Sequence, residues 1–443
     1  MNSPLKRDSA PRLQSQQSSP QEFRFNFVHS GLVPQAMAGS TILHGHDRLD
    51  LNIFASGFAF ADQIGSHILG SAEYLRELDI DGLAIPEHIS YFVDSGGFQA
   101  WTDGRVIDVR QLGEKYRAIA RQSHGRISLM SLDIVPGPLD IFDADDMLLL
   151  ATAQTRNTEQ LLEALAEMDG KYRLFNPLHG LSWQAQSAWL EAVRHPDLSS
   201  YAIGNKGAII TNLPLLAQLI YCEEAEAIHF FGQYKPEVLP LLAVVGLFIQ
   251  TTTDSSHYWA NAQKFNRFYE FTHQGSLVEH SVGGNRNVWQ SNGEKVRFKK
   301  RGGGGLSNCP CPVCQRFPDL SIYANAGRAE HHLLGYHNMW ATNRMIEHWK
   351  IKLATQPIEE VAEDYGTTFG RGWESQVHLK ENMLLTWGYL QTAKRQGPDN
   401  ALRQFGRDIE ELAKVEIPKV YVFLPGEESP AWSSSVELAK NYL

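Results

Sequence analysis

Cysteine is scarce, with four residues in a chain of 443, and three of those fall within positions 309–314. So few thiols exclude a disulfide framework, and their clustering points to a metal site in a reducing compartment. Long apolar runs are also missing. None approaches the ~18–20 residues that a membrane-spanning helix needs, so no membrane association is expected. The amino terminus has no signal-peptide pattern, and the expected location is the cytoplasm. Positive charge is in deficit: 40 Lys and Arg stand against 50 Asp and Glu, a formal net charge of -10. Any contact with nucleic acid must then rest on a local basic patch. There is no internal repeat at solenoid or propeller periods. Nor does a GxGxxG follow the first strand-like run, as a dinucleotide fold would require.

What is present is ordinary in bulk, 43% hydrophobic and 20% charged. This length suits one large domain with an appendage, or two domains. Residues 1–22, rich in Ser, Gln and Pro, read as a disordered tail. From about residue 50 to 260, short apolar runs alternate with helical stretches. The runs are ISYFV (89–93), RISLMSL (126–132), YRLFNPL (172–178), YAIG (201–204), AIHFF (227–231) and GLFIQTTT (246–253). Strands alternating with long helices indicate a parallel sheet of right-handed crossovers, and the length favours a closed (β/α)8 TIM barrel. The expected division is a barrel over 23–300, a zinc-binding subdomain over 301–345 and an α-rich extension over 346–443 of unassigned role.

The strand ends hold the chemistry. They read DSGGFQ (94–99), DIVPGP (133–138), HGLSW (179–183), GNKGA (204–208), FGQYKP (231–236) and DSSHYW (254–259). In a barrel all of these emerge on one face, which would bring Asp94, Asp133 and Asp254 to one mouth. Singly, each Asp is better read as a helix cap or turn closer. Three on one face, among glycine pairs and aromatics, favour an acid/base and nucleophile set instead. Gly96 and Gly97 would let the backbone come close to a ligand.

CPCPVC (309–314) supplies Cys309, Cys311 and Cys314, and a histidine-rich helix follows at EHHLLGYHNMW (330–340). Three thiolates and one imidazole form a common closed, tetrahedral Zn2+ set, structural rather than catalytic. His337 is the expected fourth ligand, with His331 and His332 as rivals. Cys222, alone in an amphipathic stretch, reads as a core residue. In VWQSNGEKVRFKKRGGGG (288–305), Asn292-Gly293 signals a hairpin. Its second arm bears Lys295, Arg297, Lys299, Lys300 and Arg301. A charge run is usually a solvated edge, yet this one is the densest basic cluster in an acidic chain. It is the best candidate for holding phosphates.

Together, DSGGFQ, GNKG after YAI, FFGQYKP, DSSHYW and CPCPVC with its following histidine resemble the tRNA-guanine transglycosylases. These are zinc-containing (β/α)8-barrel enzymes that exchange a guanine in nucleic acid for a 7-deazaguanine. The resemblance covers roughly residues 85–345, in order. It implies that Asp254 is the nucleophile on the anomeric carbon and Asp94 the general acid/base. Phe98 and Phe231 would sandwich the base, with Gln99, Asp133, His179, Gly204 and Asn205 binding its edge. Cys309, Cys311, Cys314 and His337 would hold the zinc. The sequence also departs from the family. His179 stands where most members have glutamine, and the arginine-bearing signature that helps read the tRNA anticodon is replaced by Ser255-Ser256-His257-Tyr258. The tail beyond the zinc helix does not resemble the RNA-binding domain of archaeal members. These departures resemble the branch that inserts 7-cyano-7-deazaguanine into DNA with the help of partner proteins. DNA is therefore the expected substrate and tRNA the alternative. A homodimer is implied by the family alone. A non-catalytic partner subunit and a base-releasing hydrolase remain as rivals.

Overall fold

The computed structural model describes residues 24–30, 41–44, 47–50, 67–72, 85, 87, 89–168, 170–204, 209–233, 235–255, 258, 261–262, 267–281, 287–289, 295–297, 309–316, 328–413 and 434–443. Its centre is a curled parallel sheet. The strands are β1 (Phe25–Ser30), β2 (His67–Ser71), β3 (Ser90–Asp94), β4 (Ile127–Met130), β5 (Tyr172–Leu178), β6 (Ser200–Ile203), β7 (Ala227–Phe230) and β8 (Gln250–Ser255). Each pairs with its neighbour in sequence. The order closes on itself because β1 also pairs with β8, Phe25 opposite Thr251 and Val28 opposite Asp254. Between β3 and β8 the links are helical: α1 (Gly97–Thr102), α2 (Val109–Arg121), α3 (Ala144–Leu165), α4 (Trp183–Val193), α5 (Leu213–Tyr221) and α6 (Leu239–Val245). Most of the chain between β1 and β3 lies outside the described residues. The architecture is therefore α/β, of a kind compatible with the expected TIM barrel.

Local chemistry explains where the helices begin. Asp108 accepts from the Arg110 and Gln111 N–H groups, Asp143 from Asp145 and Asp146, and Ser182 from Ala185. Such caps contribute about 1 kcal/mol each. The capping work thus falls to these residues, and Asp94, Asp133 and Asp254 cap none of these helices.

Two apolar layers follow from the period of two along the strands. Tyr91, Val93, Leu129, Leu174, Tyr201 and Ile228 pack outward against the helices. Leu69, Phe92, Met130, Phe175, Ala202 and Ala227 form a separate inner cluster. Counting on by twos from Phe92 reaches Asp94, and from Ala227 it reaches His229 and Phe231. The inner positions therefore turn polar toward the carboxyl ends of the strands.

The carboxy-terminal region is helical, as expected: α7 (Arg328–Thr355), α8 (Ile358–Phe369), α9 (Trp373–Gln396) and α10 (Pro398–Ala413). It is built onto the sheet's outer helices. The Tyr221 hydroxyl donates to the Leu390 carbonyl at 3.2 Å, the Tyr365 hydroxyl to Glu237, and the Trp349 indole to Gly275 at 2.8 Å. Because α7 runs unbroken through residue 345, the metal-binding region and the extension share one helix. The final described segment, 434–443, returns to the loop after β4. There Ser434 Oγ donates to Asp140 Oδ1 (2.5 Å), the Ser435 N–H to Asp140 Oδ2 (2.6 Å), and Ser435 Oγ to the Val135 carbonyl (2.5 Å). Tyr442 accepts the Ile107 N–H at 2.9 Å.

One sequence expectation changes. Cys222 is exposed, not part of the core. Helix α5 ends at Tyr221 and leaves Cys222 as its C-cap, beyond the last apolar turn. The basic hairpin pairs 287–289 with 295–297, Trp289 opposite Lys295. Its Asn292-Gly293 tip and Lys299, Lys300 and Arg301 lie outside the described residues, as does the 1–22 tail. Among the described residues no helix is long and apolar enough to cross a membrane.

Candidate active site

Asp94 ends β3, Asp133 follows β4 and Asp254 is the penultimate residue of β8. Parallel strands expose their carboxyl ends on one side, so the three acids gather there. Their charges act on one another. Burial first, then the Asp254 and Asp133 charges, push Asp94 up to about 7, against the weaker pull of the Gly96 and Ser95 N–H groups. A carboxyl group that titrates near neutrality can both give and take a proton.

Each of the other two acids is tethered by a buried histidine. His179 donates from Nε2 to Asp133 Oδ1 at 2.7 Å, and its side chain is 1% exposed. His229 lies with Nε2 3.3 Å from Asp254 Oδ1, and the Gly232 N–H donates to the same oxygen at 2.9 Å. On its other side His229 Nδ1 meets Thr252 Oγ1 at 2.9 Å. Asp94 has no such histidine among the described residues, and the Gly96 N–H donates to its Oδ2 at 3.3 Å.

The loops that bear Asp94 and Asp133 are stapled together. Ser95 Oγ accepts the Gly97 N–H at 3.2 Å and the Asp133 N–H at 3.4 Å. Gly96 has φ +80°, a conformation that favours glycine. A Cβ at Gly97 would collide with the Asp133 carbonyl. The close approach expected between Gly97 and a ligand is thus an approach to the neighbouring loop, fixing the spacing of the two acids.

The remaining expected residues divide. Phe98 is 43% exposed at the start of α1, its ring 5.8 Å from Trp101. Phe231 is half-buried, edge-on to His229 at 5.1 Å. Gly204 follows β6, its N–H on the Leu178 carbonyl at 2.9 Å, with no room for a Cβ beside the His179 ring. His179 is bonded to Asp133 and packed edge-on to Trp189 at 5.0 Å. The sequence reading had it bind the base edge; its Nε2 is the atom held by Asp133. Asn205 lies outside the described residues. The same holds for the side chains of Gln99, Lys295 and Arg297.

Cys309, Cys311, Cys314 and His337 form a group that could hold a metal ion. The Cys311, Cys314 and Cys309 sulfurs lie 3.3, 3.4 and 3.7 Å from His337 Nδ1. Sulfur and nitrogen ligands at about 2.3 and 2.0–2.1 Å on a tetrahedral centre are separated by about 3.6 Å, so the spacing fits. His337 Nε2 donates to the Tyr269 carbonyl at 2.7 Å, which leaves the Nδ1 lone pair facing the sulfurs. His331 and His332 share α7, but their side chains lie outside the described residues.

Sequence reasoning missed His229. Its only signal was a histidine at an inward position of an apolar strand, where a core reading is the natural one. No family model matches the sequence, and no curated protein matches it either.

Proposed function

We propose that this protein is a base-exchange transglycosylase that replaces guanine in DNA by a 7-deazaguanine, 7-cyano-7-deazaguanine, on a (β/α)8 barrel. The supporting observation is a protonatable Asp94 between two histidine-tethered carboxylates at one end of a parallel sheet. An oxygen of Asp254 attacks the anomeric carbon as the glycosidic C–N bond breaks, while Asp94 gives its proton to the departing guanine. The entering base then returns a proton to Asp94 and takes the anomeric carbon from Asp254, restoring the free carboxylate. This is the double displacement of a retaining glycosidase with a base in place of water. Asp133, fixed by His179, is the acceptor for the N–H edge of the base. Phe98 and Phe231 are the apolar walls that keep water from the intermediate. The base must leave its stack to reach them. The Cys3His group holds Zn2+ as a closed structural site that pins the 309–316 loop to α7.

The test is incubation of the protein with labelled 7-cyano-7-deazaguanine and either DNA or tRNA. Label is expected in DNA, through a covalent protein–DNA adduct that Asp254→Ala abolishes. Label in tRNA alone would overturn the choice of DNA. No adduct with either polymer would overturn the enzyme reading. Guanine release without an incoming base would indicate a hydrolase.

A further inference from the structure

A chain of three side chains lies behind the carboxylate assigned as nucleophile, and it spans two adjacent strands. Thr252 and Asp254 share the inward side of β8, and His229 faces them from β7. As a carboxylate, Asp254 can only accept hydrogen bonds, and a neutral imidazole offers one N–H and one lone pair. The proton then sits on His229 Nε2, directed at Asp254 Oδ1 (3.3 Å), while Nδ1 accepts the Thr252 hydroxyl proton (2.9 Å). One tautomer satisfies both contacts, and Thr252 selects it. The ring cannot swing away, since it is fully buried among Phe92, Phe175 and Phe231, at 5.6, 6.2 and 5.1 Å.

Both donors to Asp254, His229 and the Gly232 N–H, converge on Oδ1. Among the described residues none reaches Oδ2. We infer that His229 is a positioning residue that holds Asp254 by one oxygen and so presents the other to the sugar carbon, an inference that rests on the transglycosylase reading above. The consequence extends to both half-reactions. In the first, Oδ2 forms its bond to the anomeric carbon while Oδ1 stays tethered. In the second, the C–O bond breaks with its electron pair returning to the carboxylate, and the charge that develops there meets two donors already in place. No additional reactant is needed. Thr252 acts one step further back, through the imidazole.

If His229 were merely an aromatic filler of the inner cluster, phenylalanine would replace it without chemical cost. The experiment therefore compares wild type, His229→Phe, His229→Gln and Thr252→Val on guanine-containing DNA. Single-turnover adduct formation, the KM for the incoming 7-cyano-7-deazaguanine and the melting temperature are measured for each. His229→Phe should slow adduct formation by roughly 10²–10³-fold, the usual effect of removing one preorganised donor, with the KM changed less than about twofold. His229→Gln should recover to within about tenfold of wild type, because an amide can donate to Asp254 and accept from Thr252. Thr252→Val should slow the step by roughly tenfold, and this variant with the glutamine variant keeps the test intact if the phenylalanine variant fails to fold. Wild-type rates in His229→Phe, or in Thr252→Val, would overturn the inference alone. Equal losses in the phenylalanine and glutamine variants would do the same, by reducing His229 to shape. A wild-type protein that forms no adduct with any guanine-containing nucleic acid would overturn the transglycosylase reading, and this inference with it.

Discussion

Asp94 holds its proton to about pH 7 because it is buried and stands near two other acids. In the unfolded chain it ionises near 3.8. The folded state therefore binds more protons than the unfolded state between those values, and stability falls as pH rises from about 4 to about 7. At one pKa unit per about 1.4 kcal/mol, the deficit above pH 7 is at most about 4 kcal/mol. Asp94→Asn should thus raise the melting temperature, more at pH 8 than at pH 4; equal gains at both pH values would show that ionisation is not the cause. In the proposed reaction guanine release needs the protonated form, so its rate should fall by about tenfold per pH unit above pH 7. A flat profile between pH 7 and 9, followed by quenched-flow release of labelled guanine, would remove Asp94 as the proton donor. At this scale the sequence was partly legible. The three acids could be read because each stops an apolar strand. Their histidine partners could not, since His179–Asp133 and His229–Asp254 join residues far apart in the chain.

Among elements, the last described segment has the most specific attachment. Ser434 and Ser435 give the Asp140 carboxylate two of its three hydrogen bonds among the described residues, and Ser435 also ties Val135, two residues from Asp133. Asp140→Ala would leave the buried Ser435 N–H without a partner, at about 1–3 kcal/mol. The expected result is a lower melting temperature and a KM for the incoming base raised by roughly tenfold, since 1.4 kcal/mol of lost loop order corresponds to that factor. An unchanged KM beside a lowered melting temperature would confine the contact to stability. The helix starts at Asp108, Asp143 and Ser182 were legible because capping is local chemistry. The serine clasp was not, because Ser434 and Asp140 meet only in the folded chain. Cys222 misled for a related reason: an apolar period does not announce where its helix stops.

For the molecule as a whole, the metal group is the joint between parts. Its imidazole stands on α7, its thiols on the 309–316 segment, and its outer ring nitrogen on the Tyr269 carbonyl of the antiparallel 267–281 pair. Structural metal binding is folding free energy. Chelation should therefore lower the melting temperature and the helical circular dichroism together, and both should return when Zn2+ is restored. A chelated protein that melts unchanged but has lost turnover would contradict a structural role. The clustering of the three thiols was legible from their spacing, with His337 one of three candidate histidines, and the α/β class from the alternating runs. Closure was expected from length alone; β1 itself was not singled out, because it lies ahead of the stretch in which apolar runs and helices alternate.

That closure has a bearing on how the chemistry comes into existence. Val28 pairs with Asp254, so the strand with the proposed nucleophile is secured by a partner from the opposite end of the barrel sequence. Contacts between such distant segments form late, because the loop entropy is lost before any pairing compensates for it. Until then β8 is an open edge on which another chain can pair. Maturation of the site and protection from aggregation are therefore one folding event. A chain arrested before that event has an unguarded strand where its reactive carboxylate should be held.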